Sequence, residues 1–568
     1  MNITPARGSE AAQGGSMRVV DAICEILKRE GTEFLSCYPT TPIIEAAARA
    51  GIRPVICRQE RIGVGIADGF TRVSNGRRIG VFAMQSGPGA ENAFAGIATA
   101  YSDNVPILVL PGGYARNAAQ VHRHFRAVNA YAPVTKWVEE INVAGEVSNV
   151  MRRAFTLLKM GRPGPVLVEL PADVANEELP EPALSYTPVK RATAGADPKD
   201  VEAAARALAQ AKTPVIYAGH GVLYAEAWDE LAQLAELLQA PVMTTLEGKS
   251  AFPEDHPLSL GLACNTITAP AVHFLDKADL VFGVGSSLTR HGITTVEVPP
   301  GKTIIQITND ERDINKQYAV DYPVLGDARV VLAQFVDAVK DLLGPNKRRG
   351  DESSAEIKKL REEWLGNWLP KFTSKEVPIN PYRVMWELMG AVDPKDAIVT
   401  ADSGSPRNQL APFYRAAAPR SYLGWGKSHA LGSSLGLILG AKLAAPDKFC
   451  VNFMGDAAFG ETGLDFETGR RCGIPVLTIV LNNSSMAAET AAMAVSHDRY
   501  RTRDLGGSYA EIGRALGGYA ERIENPDEIA PAIKRAKKAT EEGRPALLEF
   551  ITKEEFVYSR RNSLKPPS

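Results

Sequence analysis

Two short polar clusters close apolar runs and have the composition to hold a metal and a polyphosphate. Residues 449–454 lead into Gly455-Asp456-Ala457-Ala458, and residues 475–481 end in Asn482-Asn483. A hard divalent cation takes oxygen ligands; one carboxylate, one amide carbonyl and one backbone carbonyl leave room for phosphate oxygens and water. Asp456, Asn483 and the backbone oxygen of Ser485 can supply those three. Small side chains at Ala457 and Ala458 let backbone N–H groups approach phosphate at a helix start. Either dipeptide alone reads as a turn after a strand. The pair, each closing an apolar strand, points to a metal–diphosphate site at the carboxyl ends of parallel strands, where open α/β sheets bind ligands.

The elements that would position these clusters recur in three blocks. Strand-like runs alternate with amphipathic stretches, the pattern of α/β domains with parallel central sheets. Strands are expected at 78–84, 106–110 and 165–170 in the first block, and at 214–217, 280–283 and 303–307 in the second, with a helix at 201–210. The third block has them at 397–400, 449–454 and 475–481. Residues 175–198, rich in proline and charge, and 344–378, which continue through an exposed-looking helix after Lys347, read as linkers. Domains are therefore expected at 17–180, 197–343 and 378–558, and 568 residues suit about three domains.

A net charge of −2 argues against nucleic acid or an anionic membrane surface as partner. No apolar run reaches the ~18 residues that span a bilayer. Six scattered cysteines without a Cys-x-x-Cys pair suggest reduced thiols in a cytoplasmic protein and argue against zinc. Residues 1–16 read as a disordered leader or a cloning remnant, not a secretory signal.

With these motifs the chain resembles, over about residues 17–555, the thiamine-diphosphate enzymes of the acetolactate synthase and pyruvate decarboxylase superfamily. Their signature is Gly-Asp-Gly followed downstream by Asn-Asn. Ala457 stands at the third position here, and the backbone contact survives if Ala457 keeps a negative φ. The resemblance implies thiamine diphosphate and Mg²⁺ as cofactors. It also implies a pyrimidine-binding first domain, a nucleotide-binding-like middle domain and a diphosphate-binding third domain. It further implies a homodimer or homotetramer in which Glu60 and Asp456 meet across a subunit interface.

Glu60 follows Cys57-Arg58-Gln59 and precedes a helix with a small-residue face. It matches the family glutamate that hydrogen-bonds the aminopyrimidine and so promotes proton loss from the thiazolium carbon. On its own it would read as a surface residue paired with Arg58 or Arg61. Pro88 and Asn92 match the family's Gly-Pro-Gly turn and polar helix start beside the cofactor. Ser403 and Gly404 match the loop against the diphosphate. In 424–436, the backbone oxygen of His429 would accept from the exocyclic amine, and Leu431 matches the large apolar residue under the cofactor. The family usually has Gly where His429 stands.

Ser484-Ser485-Met486-Ala487-Ala488-Glu489 departs from acetolactate synthase and resembles the branch that cleaves 2-hydroxyacyl-coenzyme A thioesters. A glutamate on the first turn of a helix aimed at the cofactor would repel the carboxylate of a second 2-keto acid. It could accept the proton of a substrate hydroxyl instead. The expectation is a lyase or carboligase that cleaves or forms 2-hydroxyacyl-coenzyme A thioesters. Acetolactate-synthase-type carboligation and 2-keto-acid decarboxylation are the alternatives, with a 2-keto acid, aldehyde or ketone as the small-molecule substrate. A non-catalytic family member would lack Glu60 or Asp456, and both are present. His122 and Arg123 fall where the family places substrate-facing residues; they could meet a phosphate or carboxylate, or form a solvated loop face. Relatives bind FAD or ADP in the middle domain, and Arg162 matches a residue that touches such nucleotides. With no complete Gly-x-Gly-x-x-Gly there, ADP or another nucleotide is admitted and FAD is not expected. The basic tail from Tyr558 reads as a frayed end or a lid.

Overall fold

Strands buried on both faces need apolar residues at successive positions, and the apolar runs of this chain become such strands. The computed structural model describes residues 17–39, 42–121, 123–179, 184–344 and 352–567. The first sheet contains β1 (Phe34–Cys37), β2 (Arg53–Ile56), β3 (Val81–Met84), β4 (Leu108–Gly113), β5 (Trp137–Glu140) and β6 (Val166–Pro171), in the order β2-β1-β3-β4-β6-β5. The second contains β7 (Pro214–Ala218), β8 (Val242–Thr244), β9 (Ser259–Leu262), β10 (Leu280–Val284), β11 (Thr303–Thr308) and β12 (Tyr322–Leu325), in the order β12-β11-β10-β7-β8-β9. The third contains β13 (Ala397–Ala401), β14 (Phe449–Gly455), β15 (Leu477–Asn482), β16 (Tyr519–Ile523) and β17 (Ala546–Ile551), in the order β13-β14-β15-β17-β16. Every pairing is parallel, as expected for three α/β domains.

The first and third sheets are joined through two helices whose facing sides are stripped to hydrogen. Helix Glu60–Val73 packs on helix Ser433–Ala444. A Cβ on Gly65 would stand 3.0 Å from the Gly436 Cα, and one on Gly69 or Gly440 would overlap the carbonyl of Leu437 or Ile66. The expected small-residue face of the first helix thus meets a matching face on the second. Ile62, Ile66 and Phe70 complete the seam with Leu435, Ile438 and Leu439.

Two expectations change. The helix expected to lie exposed between the second and third domains, Glu352–Phe372, buries Ile357, Trp364, Trp368 and Phe372. Trp364 stacks on Phe413 at 4.7 Å, so the aromatic spacing marked a packing face. Lys347 lies outside the described residues. The tail is not frayed: Ser559 is fully buried and exchanges hydrogen bonds with the Ile267 backbone. The Trp368 indole donates to the Leu564 carbonyl at 2.8 Å. Indole N–H groups with chain partners convert the tail into a strap across the helix and the middle domain. Among the described residues no helix is long and apolar enough to cross a membrane.

Candidate active site

The register Gly455↔Leu481 sets the ends of β14 and β15 side by side, and β13 ends beside them at Ala401. The three loops that follow line one cavity of about 440 Å³. Ser403, Gly404, His429, Leu431, Gly455, Asp456, Ala457, Ala458, Asn483, Ser485 and Glu489 all border it. Asp456, Ala457, Ala458, Asn483 and Ser485, chosen on the strand-end argument, converge because parallel strands deliver their carboxyl ends to one edge, and Ser403, Gly404, His429, Leu431 and Glu489, taken from the resemblance, border the same cavity.

Asp456 is 3% exposed; its Oδ1 accepts from the Ala457 N–H at 2.9 Å, and its Oδ2 is buried with no hydrogen-bond partner. Burial pushes its carboxyl up, while the N–H groups of Ala457, Ser484, Ser485 and Asn483 pull it back. A buried carboxylate oxygen without a donor is satisfied by a cation. Asn483 Oδ1 accepts from the Ser485 N–H at 3.1 Å, and the Ser485 carbonyl accepts from Ala487 at 2.8 Å. Each oxygen keeps a lone pair free, so the donor set fits a hard ion such as Mg²⁺. Among the described residues no three His, Cys, Asp or Glu side chains cluster as a metal site. A cation here would lean on one carboxylate plus amide and backbone oxygens. Ala457 is absent from the non-glycine residues with positive φ, which meets the condition set by its departure from Gly.

Asp402 organises the opposite wall. Fully buried, it accepts from the N–H groups of Ser403 (2.9 Å), Gly432 (2.9 Å) and Ser434 (3.0 Å) and from the Ser434 hydroxyl. It fixes the 402–405 loop against the 429–434 loop. His429 sits at φ +33°, the region that favours glycine, so the backbone bend survives without the residue that makes it easy. Asp103 holds the start of the same loop, accepting from Gly426 (3.1 Å) and Lys427 (3.2 Å) while paired with buried Arg72 at 3.0 Å.

Glu489 borders the cavity half-buried, on the short 3₁₀ turn Ala487–Glu489 rather than a helix; the next helix starts at Ala494. Its carboxylate has no hydrogen bond or ion pair among the described residues. Arg503 props this segment: its Nη1 donates to the Ser485 hydroxyl (3.1 Å), the Thr490 hydroxyl (2.7 Å) and Glu554 (3.1 Å). Glu555, from the strap, also lines the cavity and accepts from Lys371 at 2.6 Å.

Glu60 is elsewhere in the single chain. It begins helix Glu60–Val73, is 3% exposed, and accepts from the Asn92 amide at 3.3 Å beside the turn before helix Pro88–Ser102. Its carboxylate lies where a Cβ on Gly89 would come within 3.5 Å. Glu60, Pro88 and Asn92 thus form one group, but none of them lines the cavity of Asp456. The surface pairing with Arg58 or Arg61 does not form: Arg58 bonds Glu467 and Arg61 bonds Glu461. Arg123 is exposed at φ +76° and does not reach the cavity either. His122 lies outside the described residues.

Sequence reasoning missed Arg407. It follows the Ser403-Gly404 loop, is 4% exposed, and lines the cavity. The only sequence signal was a basic residue just after a strand-end loop. A second cavity, of about 560 Å³, lies between the first and middle domains and is bordered by Arg162, His220, Gly285, Ser286 and Asp313. Arg162 is ion-paired there with Asp313 at 2.6 Å.

Comparison with known proteins agrees with this geometry. Residues 17–132 match the N-terminal TPP-binding domain of thiamine pyrophosphate enzymes, 201–335 their central domain and 402–550 their C-terminal TPP-binding domain. A probable acetolactate synthase large subunit of Methanocaldococcus jannaschii is 30% identical over 94% of this chain and 92% of its own length. The acetolactate synthase large subunit of Corynebacterium glutamicum is 31% identical over 89% and 81%. A glyoxylate carboligase of Escherichia coli O157:H7 is 28% identical over 94% and 93%. None of these three carries the name of a 2-hydroxyacyl-coenzyme A lyase, the branch that Glu489 suggested. With all three domains matched in order along one chain, this protein belongs to the thiamine pyrophosphate enzyme family.

Proposed function

We propose that this carboligase- or lyase-type enzyme joins or splits a carbon–carbon bond next to a carbonyl, with a 2-keto acid as donor and Mg²⁺ as the companion of thiamine diphosphate. The observation that carries the proposal is the unpartnered Asp456 Oδ2, buried on a cavity shared with Ser403, Gly404 and Asn483. The relatives named acetolactate synthase and glyoxylate carboligase support the donor class. When bound, the cofactor supplies an electron sink for carbanion chemistry. Asp456, Asn483 and the Ser485 carbonyl hold the metal; Gly455, Ala457, Ala458, Ser403 and Gly404 border the diphosphate. Leu431 supports the rings and the His429 carbonyl accepts from the amine. Glu60 hydrogen-bonds the pyrimidine, with Pro88 and Asn92 beside it.

Because Glu60 lines no part of the Asp456 cavity in one chain, we read the site as completed by a second copy, in a homodimer or homotetramer. Arg123 would approach substrate in that assembly. The second cavity supports ADP or another nucleotide as a middle-domain ligand.

A second reading rests on Glu489, a carboxylate on the cavity wall without a partner. It suits removal of a hydroxyl proton during cleavage of a 2-hydroxyacyl-coenzyme A thioester. Assay of the protein with Mg²⁺ and thiamine diphosphate separates the two. Turnover of pyruvate or glyoxylate with no thioester cleavage supports the first reading; thioester cleavage without 2-keto-acid turnover overturns it in favour of the second.

A further inference from the structure

Among the described residues, Arg407 is the buried cation on the cavity wall whose hydrogen-bonding groups are left over. Its Nε and Nη1 are buried and have no partner. A guanidinium offers five N–H donors and no acceptor, and it keeps its charge at neutral pH. Burial works against that charge, and Cys264, Tyr422, Asp402 and Asp103 oppose the effect from a distance. The two carboxylates among these neighbours are already engaged. Asp402 accepts from Ser403, Gly432 and Ser434, and Asp103 from Arg72, Gly426 and Lys427. Nothing described in the chain therefore closes the pair.

The local backbone is shaped around this side chain. Gly426 stands at φ +131°, and a Cβ there would come 2.5 Å from Arg407 Nη1. A side chain at 426 would displace the guanidinium; glycine lets it lie against the loop that continues to His429. An unpaired buried cation is costly, and breaking a buried pair by removing one partner is strongly destabilising. Such a group persists where a guest completes it, and a planar fork of N–H donors matches a carboxylate.

We propose that Arg407 is the receptor for the substrate carboxylate and determines that the donor is an anion. The inference rests on reading the cavity as the cofactor-and-substrate site, and it names the group that recognises the 2-keto acid. The competing guest is the diphosphate, since Arg407 follows Gly404 by three residues.

The test uses the full-length protein with Mg²⁺ and thiamine diphosphate, titrated calorimetrically with oxamate, an inert carboxylate isostere of pyruvate, and with its neutral counterpart oxamide. Wild type should bind oxamate roughly ten- to a hundredfold more tightly than oxamide, the range expected for hydrogen bonds to a charged group. Arg407→Gln should abolish that preference and Arg407→Lys retain part of it. Thiamine diphosphate affinity, measured separately, should stay within about twofold in both, because the proposal gives Arg407 no cofactor contact. Equal binding of oxamate and oxamide to wild type overturns the proposal, and so does oxamate affinity unchanged in Arg407→Gln. A fall in cofactor affinity parallel to that for oxamate also overturns it and makes Arg407 a diphosphate ligand. If Arg407→Gln does not fold, the wild-type preference and the Arg407→Lys variant decide. Arg407-dependent oxamate binding in a protein that turns over no 2-keto acid would refute the proposed reaction and leave the receptor standing.

Discussion

Asp465→Asn should change the stability of this protein in a pH-dependent way whose sign and size follow from the structure. Asp465 ends the turn after helix Asp456–Thr462, is 1% exposed, and accepts from the Arg58 N–H and the Thr468 hydroxyl, both at 2.8 Å. Arg58 lies two residues before Glu60, so this carboxylate pins the approach to Glu60 onto the diphosphate domain. Burial pushes the Asp465 carboxyl up to about 6, and the Arg58 and Thr468 donors keep it from rising further. The unfolded value is about 3.9. Between these values the folded chain holds a proton that the unfolded chain has lost, so stability falls as pH rises from about 4 to about 6. Roughly two pKa units correspond to about 3 kcal/mol. Asparagine carries no charge to desolvate and keeps an oxygen for Arg58. The stability of Asp465→Asn relative to wild type should therefore rise by about 2–3 kcal/mol between pH 4 and pH 7.5. The Gln59 N–H also holds the Asp465 carboxyl down, and any fixed cost of an amide N–H facing it cancels in that difference. Thermal melts of both proteins across this range give the measurement, as an offset growing by about 2 °C when the 568 residues unfold together. A constant offset, or one that shrinks as pH rises, would refute the reasoning.

Asp456→Ala removes the only carboxylate of the metal-binding set, so calorimetry should find Mg²⁺-dependent thiamine diphosphate binding lost; affinity equal to wild type would sink the assignment. Glu60→Gln should keep the fold and slow hydrogen exchange at the thiazolium carbon by ~10²–10⁴, as read by NMR. Gly69→Ala should destabilise the protein by more than about 1–3 kcal/mol, because its Cβ overlaps the Leu437 carbonyl, a backbone atom that cannot rotate away. Chemical denaturation showing no loss would mean the two helices can separate without cost. Glu489→Gln should lower any thioester cleavage by ~10²-fold and leave cofactor binding unchanged; if wild type turns over only 2-keto acids, the same change should leave or raise that rate.

What could be read from the chain without its structure follows local signals. Apolar runs buried on both faces identify strands whatever they pair with, which is why β14, β15 and the loops after them emerge directly. Asp456 and Asn483 depend only on strand ends, and parallel pairing brings those together automatically. Arg407, Asp402 and Asp103 depend on which loops face one another across domains, and no local pattern carries that. Trp364 and Trp368 show the opposite failure: charged neighbours made their helix look exposed, while spacing at i and i+4 set both indoles on a buried stripe. The tail misled for a related reason. Its basic residues suggested solvent, yet Tyr558 and Ser559, directly before Arg560, are buried.

If Arg407 receives the substrate carboxylate as proposed, its charge and that of Glu489 together constrain the substrate more tightly than either does alone. Both border one cavity of about 440 Å³. A neutral substrate would leave the Arg407 donors unmet, and an unmet buried charge is costly. A substrate with negative charge at both ends would set one end against Glu489 in a partly desolvated space, where like charges repel more strongly than in water. A molecule with one carboxylate and a neutral, proton-bearing or aldehyde end satisfies both walls at once. Under the proposed reading, that description is met by a small 2-keto acid with an uncharged second substrate. On the same reading, the choice of the second substrate falls to the segment after Asn483 that carries Glu489.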